Sequence, residues 1–336
     1  MRKLRVVQIG VNHDHASAIF KTMVAMPETF EIVGYCIPED EPPLTKPLND
    51  VYAPYPRLTL EQIAADKSID CATIETFERN LTKYATFALE LGLPVHMDKP
   101  GGVVHEEFKR MIDLVKAKDL VFHTGYMYRY NPAVRKTYEL YESGALGEIL
   151  HVEAQMNCWH KEHKRHWMGN FPGGMLFFLG CHMIDFIYRL QGEPLQVLPM
   201  SMAATVEDGE DFGMAVYKYP KGVSFAKATD DECGGFQRRQ LVVVGSKGTV
   251  EIMPLESGGD GDLMYADLVF TDSTAWAARG ETVRFDGFHR YRTMMEGFAA
   301  MVRGERTNPY TPDYELALND FVMRSCGVST NENASR

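Results

Sequence analysis

The feature that most limits what this chain can fold into is the order of the short β-rich runs in its first third. "LRVVQI" at 4–9, "FEIVGYC" at 30–36, "CATIET" at 71–76, "PVHM" at 94–97 and "LVFHTG" at 120–125 are apolar and rich in strand formers. Helical patterns at about 15–25, in "NLTKYATFALELG" and at about 106–117 separate several of them. Strands spaced by helices cannot pair as hairpins. Each helix must instead cross over, in the right-handed sense, to a parallel neighbour, so a doubly wound parallel sheet is expected. Gly92, just past the second helical pattern, supplies a stop signal, and the proline-punctuated stretch 38–56 reads as a loop.

After Gly125 the pattern changes. A helix is expected at 132–143, a strand in "EILHVEAQM" and a helix at 174–190. The runs "LQVLPMSMAATV", "DFGMAVYKY", "GVSFAKAT", "QRRQLVVVG" and "GTVEIM" then follow with few helices between them. That is the signature of a largely antiparallel sheet. Helices at about 290–303 and 313–326 close the chain. With 336 residues, 45% of them hydrophobic, the chain is long enough for two cores. The expected fold class is α/β: a doubly wound parallel domain over 1–124, and an α/β domain over 125–336 with a large, mostly antiparallel open sheet.

Charge and apolar patterning exclude several classes of function. Asp and Glu outnumber Lys and Arg by 46 to 35, a net charge of −11, which argues against nucleic acid and anionic membrane as partners and leaves a small molecule. The longest stretch without an ionised side chain, 167–184, holds His182, Asn170, Pro172 and several glycines, so it reads as a loop entering a buried helix and not as a membrane span. The apolar run behind Arg2, Lys3 and Arg5 breaks at Gly10, unlike a signal peptide. Six scattered cysteines with no C-x-x-C pair read as reduced thiols, so a cytoplasmic protein is expected.

The first strand runs into "QIGVNHDHA", where a dinucleotide-binding chain carries G-x-G-x-x-G. Gly10 is retained, but Asn12 stands in the second glycine's place and His15 in the third's. A helix N-terminus offers N–H donors and positive potential to a diphosphate even without all three glycines. After the second strand, "YCIPEDEPP" puts Ile37 where a ribose-binding carboxylate is expected, and no arginine stands nearby for a 2′-phosphate, which favours NAD over NADP.

"HMDKPGG" (96–102), "GYMYRYNPAV" (125–134), "SGALGEILHVEA" (143–154) and "GGMLFFLGCHMIDFIYRL" (173–190) occur in the order and spacing of one family. In these stretches the chain resembles the Gfo/Idh/MocA oxidoreductases, from about residue 4 to residue 327. The resemblance implies a Rossmann domain, then an α/β domain whose open sheet serves for homo-oligomerisation, as a dimer or tetramer. It also implies NAD(P)-dependent oxidation or reduction at a secondary carbinol of a sugar, polyol or derivative. It points to Lys99, His182 and Asp185 as catalytic residues and to Gly10, Asn12, His13, Glu75 and Lys99 around the cofactor. One position departs from the pattern. Four residues before His182 the family often has an aspartate, and this chain has Phe178.

The chemistry of these residue types agrees with such roles. Oxidising an alcohol needs a hydride acceptor that no side chain supplies and a base for the hydroxyl proton. Imidazole exchanges protons near neutrality, and a lysine ammonium stabilises negative charge growing on a substrate oxygen. On a helix Phe178, His182 and Asp185 share one face. "CWHKEHKRHW" (158–167) adds Trp159, His160, His163 and Trp167, which with Tyr128 are the candidate substrate-binding residues: indoles suit the apolar face of a sugar ring. Taken alone, the stretch also reads as a solvated basic loop. No metal ligands are assigned. The competing readings are a metal-assisted lyase or hydrolase, with His160, His163, His166 and His182 around an ion, and a non-catalytic nucleotide or metabolite sensor.

Overall fold

The computed structural model describes residues 2–44, 47–258 and 263–330. Two compact units emerge: Met1–Tyr126 with Tyr291–Asn319, and Met127–Arg290 with Asp320–Arg336. In the first, strands β1 (Leu4–Ile9), β2 (Phe30–Cys36), β3 (Arg57–Leu58), β4 (Cys71–Ile74), β5 (Val95–Met97) and β6 (Phe122–Thr124) form one six-stranded sheet. Its order is β3-β2-β1-β4-β5-β6 and every pair is parallel, as the alternating runs predict. The order reverses between β1 and β4. In open α/β sheets ligands bind outside the carboxyl ends of the strands at such a switch point.

Helices α1 (Ala16–Val24), α2 (Leu60–Ala65), α3 (Leu81–Glu90) and α4 (His105–Lys118) follow from local signals. Thr59 and Gln62 form a reciprocal capping box at the start of α2. In α4 the first turn carries Glu106 and Glu107 and the last Lys116 and Lys118, so both ends complement the helix dipole. Gly92 turns left-handed (φ +83°) after α3, where its lack of a Cβ is needed. The α3 and α4 faces bury Leu81, Ala85, Ala88 and Leu89, and Phe108, Met111, Ile112 and Val115, in one core with Val7, Ile9, Ile74 and Met97. The 38–56 loop contains a short 3₁₀ turn (Asp50–Tyr52) that buries Tyr52; Thr45 and Lys46 lie outside the described residues.

The second unit begins with α5 (Pro132–Glu142), capped by the Asn131 carboxamide and started by a proline in its first turn. It contains β7 (Ile149–Asn157), α6 (Glu162–Trp167), α7 (Cys181–Gln191), β8 (Gln196–Pro199), β9 (Phe212–Tyr219), β10 (Gly222–Thr229), β11 (Gln240–Gly245), β12 (Thr249–Ile252), β13 (Ser257–Gly258), β14 (Leu263–Thr271) and β15 (Thr282–His289). Eight of the strands run β13-β14-β12-β11-β7-β10-β9-β8, with β15 on β14. Only β7 and β10 pair parallel. Burial alternates along β9, β10 and β11, so one sheet face is core: Val152, Ala154, Met156, Ala226, Ala228, Leu241 and Val243 are all buried.

Several elements differ from the sequence reading. The expected helix 174–190 is a π-type segment, Leu176–Gly180, followed by α7. An extra residue in a turn rotates what precedes it, so the simple face shared by Phe178 and His182 is lost. "CWHKEHKRHW" is not a loop throughout, because α6 occupies its second half. The long apolar run at 195–206 contributes only the four residues of β8. The closing helices are α8 (Arg292–Val302), in the first unit, and α9 (Pro312–Ser325), whose residues divide between the units after Asn319.

Candidate functional site

At the carboxyl edge of the first unit's sheet, the register that pairs Thr73 with His96 and Ile74 with Met97 continues one step. The Asp98 amide donates to the Ile74 carbonyl (3.1 Å), and the Glu75 amide to Ile9 (2.7 Å), so the residues just beyond β1, β4 and β5 lie side by side. Gly10 lies in this row with φ +94°, and a Cβ there would come within 2.3 Å of the Thr76 nitrogen. The first glycine of the fingerprint is therefore kept for a steric reason that holds without any ligand. Gly125 plays the same part for Asp98: its Cβ would meet the Asp98 carboxylate at 2.8 Å.

The turn after Gly10 folds inward. His13 is buried, and its amide donates to the Glu75 carbonyl (3.1 Å). Its Nε2 lies 3.0 Å from the Lys99 carbonyl oxygen, and its Nδ1 accepts the His15 amide at 3.1 Å. These partners fix a neutral ring with the proton on Nε2. Burial pulls its pKa down to about 3, against the pull of Asp98. His15 Nδ1 approaches both Asp98 oxygens, at 3.2 and 3.1 Å, and the Lys99 amide donates to Asp98 Oδ1 at 2.7 Å. Burial opposes the Asp98 charge, but the His13 and His15 rings and Lys99 outweigh it and hold the carboxyl well below its usual range.

Glu75, Glu78, His96 and Lys99 complete the cluster, all buried. Glu75 Oε2 is 3.8 Å from His13 Nδ1, and Oε1 is 3.9 Å from His96 Nε2; Glu78 Oε1 is 3.7 Å from His13 Nε2. Burial, then the charge of Asp98, push the Glu75 carboxyl well above its ordinary range. Burial also draws His96 down to about 4. His96 Nδ1 meets His123 Nδ1 at 2.7 Å, so one of these rings donates to the other. The segment after β2 is stitched across the same edge. Asn12 Nδ2 donates to the Pro42 carbonyl (2.9 Å), and Glu41 accepts the Phe77 amide (2.8 Å) and the Asn80 carboxamide (2.7 Å). Asp40 is taken by Lys83 and Tyr84.

A dinucleotide's diphosphate needs N–H donors and positive potential at this edge. The Gly10 turn and the start of α1 supply the backbone for it. The side chains at the edge are mixed, however: the carboxyl groups of Glu75, Glu78 and Asp98 stand beside Lys99 and the His13, His15 and His96 rings.

In the second unit, His182 is buried on α7, its ring edge-on to Tyr128 (centroids 4.9 Å). The Tyr128 hydroxyl bonds buried Glu256, which also accepts from Arg239 (3.0 Å) and Arg290 (2.6 Å). Burial raises the cost of the Glu256 charge, but Arg290 and Arg239 outweigh it and lower its pKa; burial drives Tyr128 up to about 12. Asp185 accepts two hydrogen bonds from Arg129, at 2.9 and 2.8 Å. Phe178 stacks parallel to Phe171 (6.0 Å) and edge-on to Trp167 (5.2 Å), and the Lys164 ammonium lies 3.3 Å from the Trp167 ring centroid. Trp167 is half-buried within an aromatic cluster, whereas Trp159 is 55% exposed.

The histidines of that stretch do not converge. His160 lies near Cys158 (3.5 Å) and Asp230 (3.6 Å), His163 is exposed, and His166 pairs with Asp208. Among the described residues, the groups with metal-ligating geometry are His13, His15 and Asp98, and Glu75, His96 and Asp98. Sequence reasoning named His13, Glu75 and Lys99 but not His15 as a ligand, nor His96, Asp98, Glu256 or Arg239. The alternation of His96 and Asp98 along β5, on one side of a strand that is otherwise apolar, was the available signal.

Residues 134–251 match the Gfo/Idh/MocA C-terminal domain model. The chain is 30% identical to levoglucosan dehydrogenase of Pseudarthrobacter phenanthrenivorans over 137 residues, 39% of this chain and 35% of that protein. It is 22% identical to 2,7-anhydro-N-acetylneuraminate hydratase of Escherichia coli over 210 residues, 60% of this chain and 56% of the relative. The chain thus spans about half the length, or less, of these curated relatives. The fold of UDP-N-acetylglucosamine 3-dehydrogenase from Acidithiobacillus ferrooxidans superposes with a TM-score of 0.76 at 17% identity, covering 97% of this chain and 98% of that one. Residues 134–251 are thus similar to the Gfo/Idh/MocA C-terminal domain, and the chain as a whole shares the fold of that solved dehydrogenase.

Proposed function

We propose that this chain is an oxidoreductase acting at a hydroxyl- or keto-bearing carbon of a sugar- or polyol-like small molecule. The observation that carries this reading is Lys99, buried at the end of β5 beside the β1–β4 switch point of a sheet ordered β3-β2-β1-β4-β5-β6. The named sugar dehydrogenase among its relatives supports the substrate class. In this reading Lys99 stabilises charge on the reacting oxygen and His182 moves the proton. Asp185, held by Arg129, orients α7 and does not touch substrate. Trp159, His160 and His163 are the substrate-facing residues, and the exposed sheet face of the second unit joins copies of the chain. A nicotinamide nucleotide is the family's hydride partner.

A second reading is favoured by one observation, the buried carboxylates Glu75, Glu78 and Asp98 where a diphosphate needs donors. In it the chain keeps the substrate class and works by proton transfer, as an addition or elimination of water requires; one relative bears the name of a hydratase. Calorimetric titration with NADH and NADPH separates the two. Binding of either, with turnover of a sugar or polyol followed by nicotinamide absorbance, supports the first reading. No binding of either at millimolar concentration removes it and leaves the second.

A further inference from the structure

We propose that the carboxyl edge of the first unit's sheet is a divalent transition-metal site, with His13 Nδ1, His15 Nδ1 and Asp98 as ligands and Glu75 facing the ion as a further carboxylate. The site goes beyond both readings above, since either reaction is compatible with it. His13 Nδ1 and Asp98 Oδ2 are 3.5 Å apart, His15 Nδ1 and Asp98 Oδ2 3.1 Å, and His13 Nδ1 and Glu75 Oε2 3.8 Å. Metal–donor bonds of about 2.0–2.2 Å place neighbouring donors about 3–3.5 Å apart. The side chains therefore stand close to the edges of a coordination shell.

The second-shell contacts point the same way. A metal-ligating imidazole characteristically gives its other N–H to a backbone carbonyl or carboxylate, which fixes the ring and leaves the bare nitrogen for the ion. His13 does this through Nε2 and the Lys99 carbonyl, and its Nδ1, 3.5 Å from Asp98 and 3.8 Å from Glu75, would exchange the His15 amide it accepts for the ion.

Independent evidence comes from Glu75. Both of its oxygens are buried with no hydrogen-bond partner among the described residues, and so is His96 Nε2, 3.9 Å from one of them. A buried carboxylate without a donor is costly unless an ion or proton meets it. Two imidazoles with carboxylates suit Zn²⁺, Fe²⁺ or Mn²⁺ better than Mg²⁺ or Ca²⁺, which prefer all-oxygen shells. Three protein ligands leave an open position from which such an ion polarises a hydroxyl or keto oxygen.

The test uses the full chain expressed without a histidine tag. Elemental analysis is expected to find one transition-metal ion per chain. After chelation, calorimetric titration with Zn²⁺ is expected to give one site of micromolar or tighter affinity, weakened at least 100-fold in His15→Ala and Asp98→Asn. Glu75→Gln, which keeps shape and removes only charge, is expected to weaken it at least tenfold, and circular dichroism checks that each variant is folded. Cobalt added to the chelated protein is expected to give visible absorption bands of a bound ion, lost in His15→Ala. Metal-free protein with no saturable Zn²⁺ binding overturns the proposal, and a proton shared by Glu75 and Asp98 then balances the site. Zn²⁺ binding that survives His15→Ala and Asp98→Asn but is lost in His160→Ala or His163→Ala also overturns it. Nucleotide titration of the same protein is a separate readout, so failure of the metal site and failure of the oxidoreductase reading are told apart.

Discussion

Asp185 tests whether α7 carries one functional residue or two. Arg129 and Asp185 side chains are 2% and 4% exposed and joined by two hydrogen bonds of 2.9 and 2.8 Å. Asp185→Asn keeps the shape but leaves the Arg129 guanidinium buried without its counter-charge. Breaking such a pair by one partner costs about 3–5 kcal/mol. For a unit of this size each kcal/mol moves Tm by about 2–4 °C, so a fall of roughly 6–20 °C is expected. Arg129→Met should do the same. The double variant Arg129→Met/Asp185→Leu removes both charges and should recover most of the loss, since apolar replacement of a buried pair is often neutral or better. Scanning calorimetry of the four proteins reads this directly. An Asp185→Asn protein that melts within about 1 °C of the native chain, yet loses turnover a hundredfold, would refute the reasoning and return Asp185 to the reacting atoms.

Three further outcomes are expected. His182→Ala should lower turnover by roughly 100- to 10,000-fold with the fold intact, and full activity would dismiss its acid-base role. Gly10→Ala should cost roughly 1–3 kcal/mol in urea unfolding, because φ +94° and the Thr76 backbone at 2.3 Å both oppose a Cβ; an unchanged midpoint would show that the turn relaxes freely. Glu256 titrates below its unfolded value in the native state, so its contribution to stability is complete above about pH 4.3 and is lost as pH falls through the folded pKa. The stability gap between the native chain and Glu256→Gln should therefore shrink from pH 6 to pH 3, as followed by urea midpoints, and a gap that grows on acidification would contradict this.

The parallel sheet was legible because its strand runs are apolar and separated by helical patterns, one of which ends at Gly92, whereas β3 and α2 with its Thr59 cap were too short to show. The open sheet was legible from alternation as far as Ile252. Beyond that, β14 and β15 escaped notice; β15 is mostly exposed, and in "TVRFDGFH" the alternation is only Val283 and Phe285. The π-type segment before α7 left no mark either, since "LFFLG" is apolar all round and fits any helical phase. Partners far apart in sequence were the least visible. Nothing near Tyr128 announces Glu256, which lies 128 residues away, or Arg239, and nothing near Asp185 announces Arg129 as its counter-charge.

The departures from the dinucleotide fingerprint look unrelated in the sequence, but in space they form one set. Asn12, in the second glycine's place, ties the turn to Pro42; His15, in the third's, grips Asp98; and His13 between them turns inward to the Lys99 carbonyl. Glu75 and Glu78, just beyond β4, face the same His13 ring from the other side. A turn that had merely lost its glycines would leave exposed or ill-packed polar groups. Here His13 is buried and His15 half-buried, and the two rings approach Asp98 at 3.5 and 3.1 Å. Gly10 survives because the sheet needs it for the close approach of Thr76, whatever ligand is bound. The edge has thus kept the close backbone approach at Gly10 while setting imidazole and carboxylate side chains where the fingerprint has glycines.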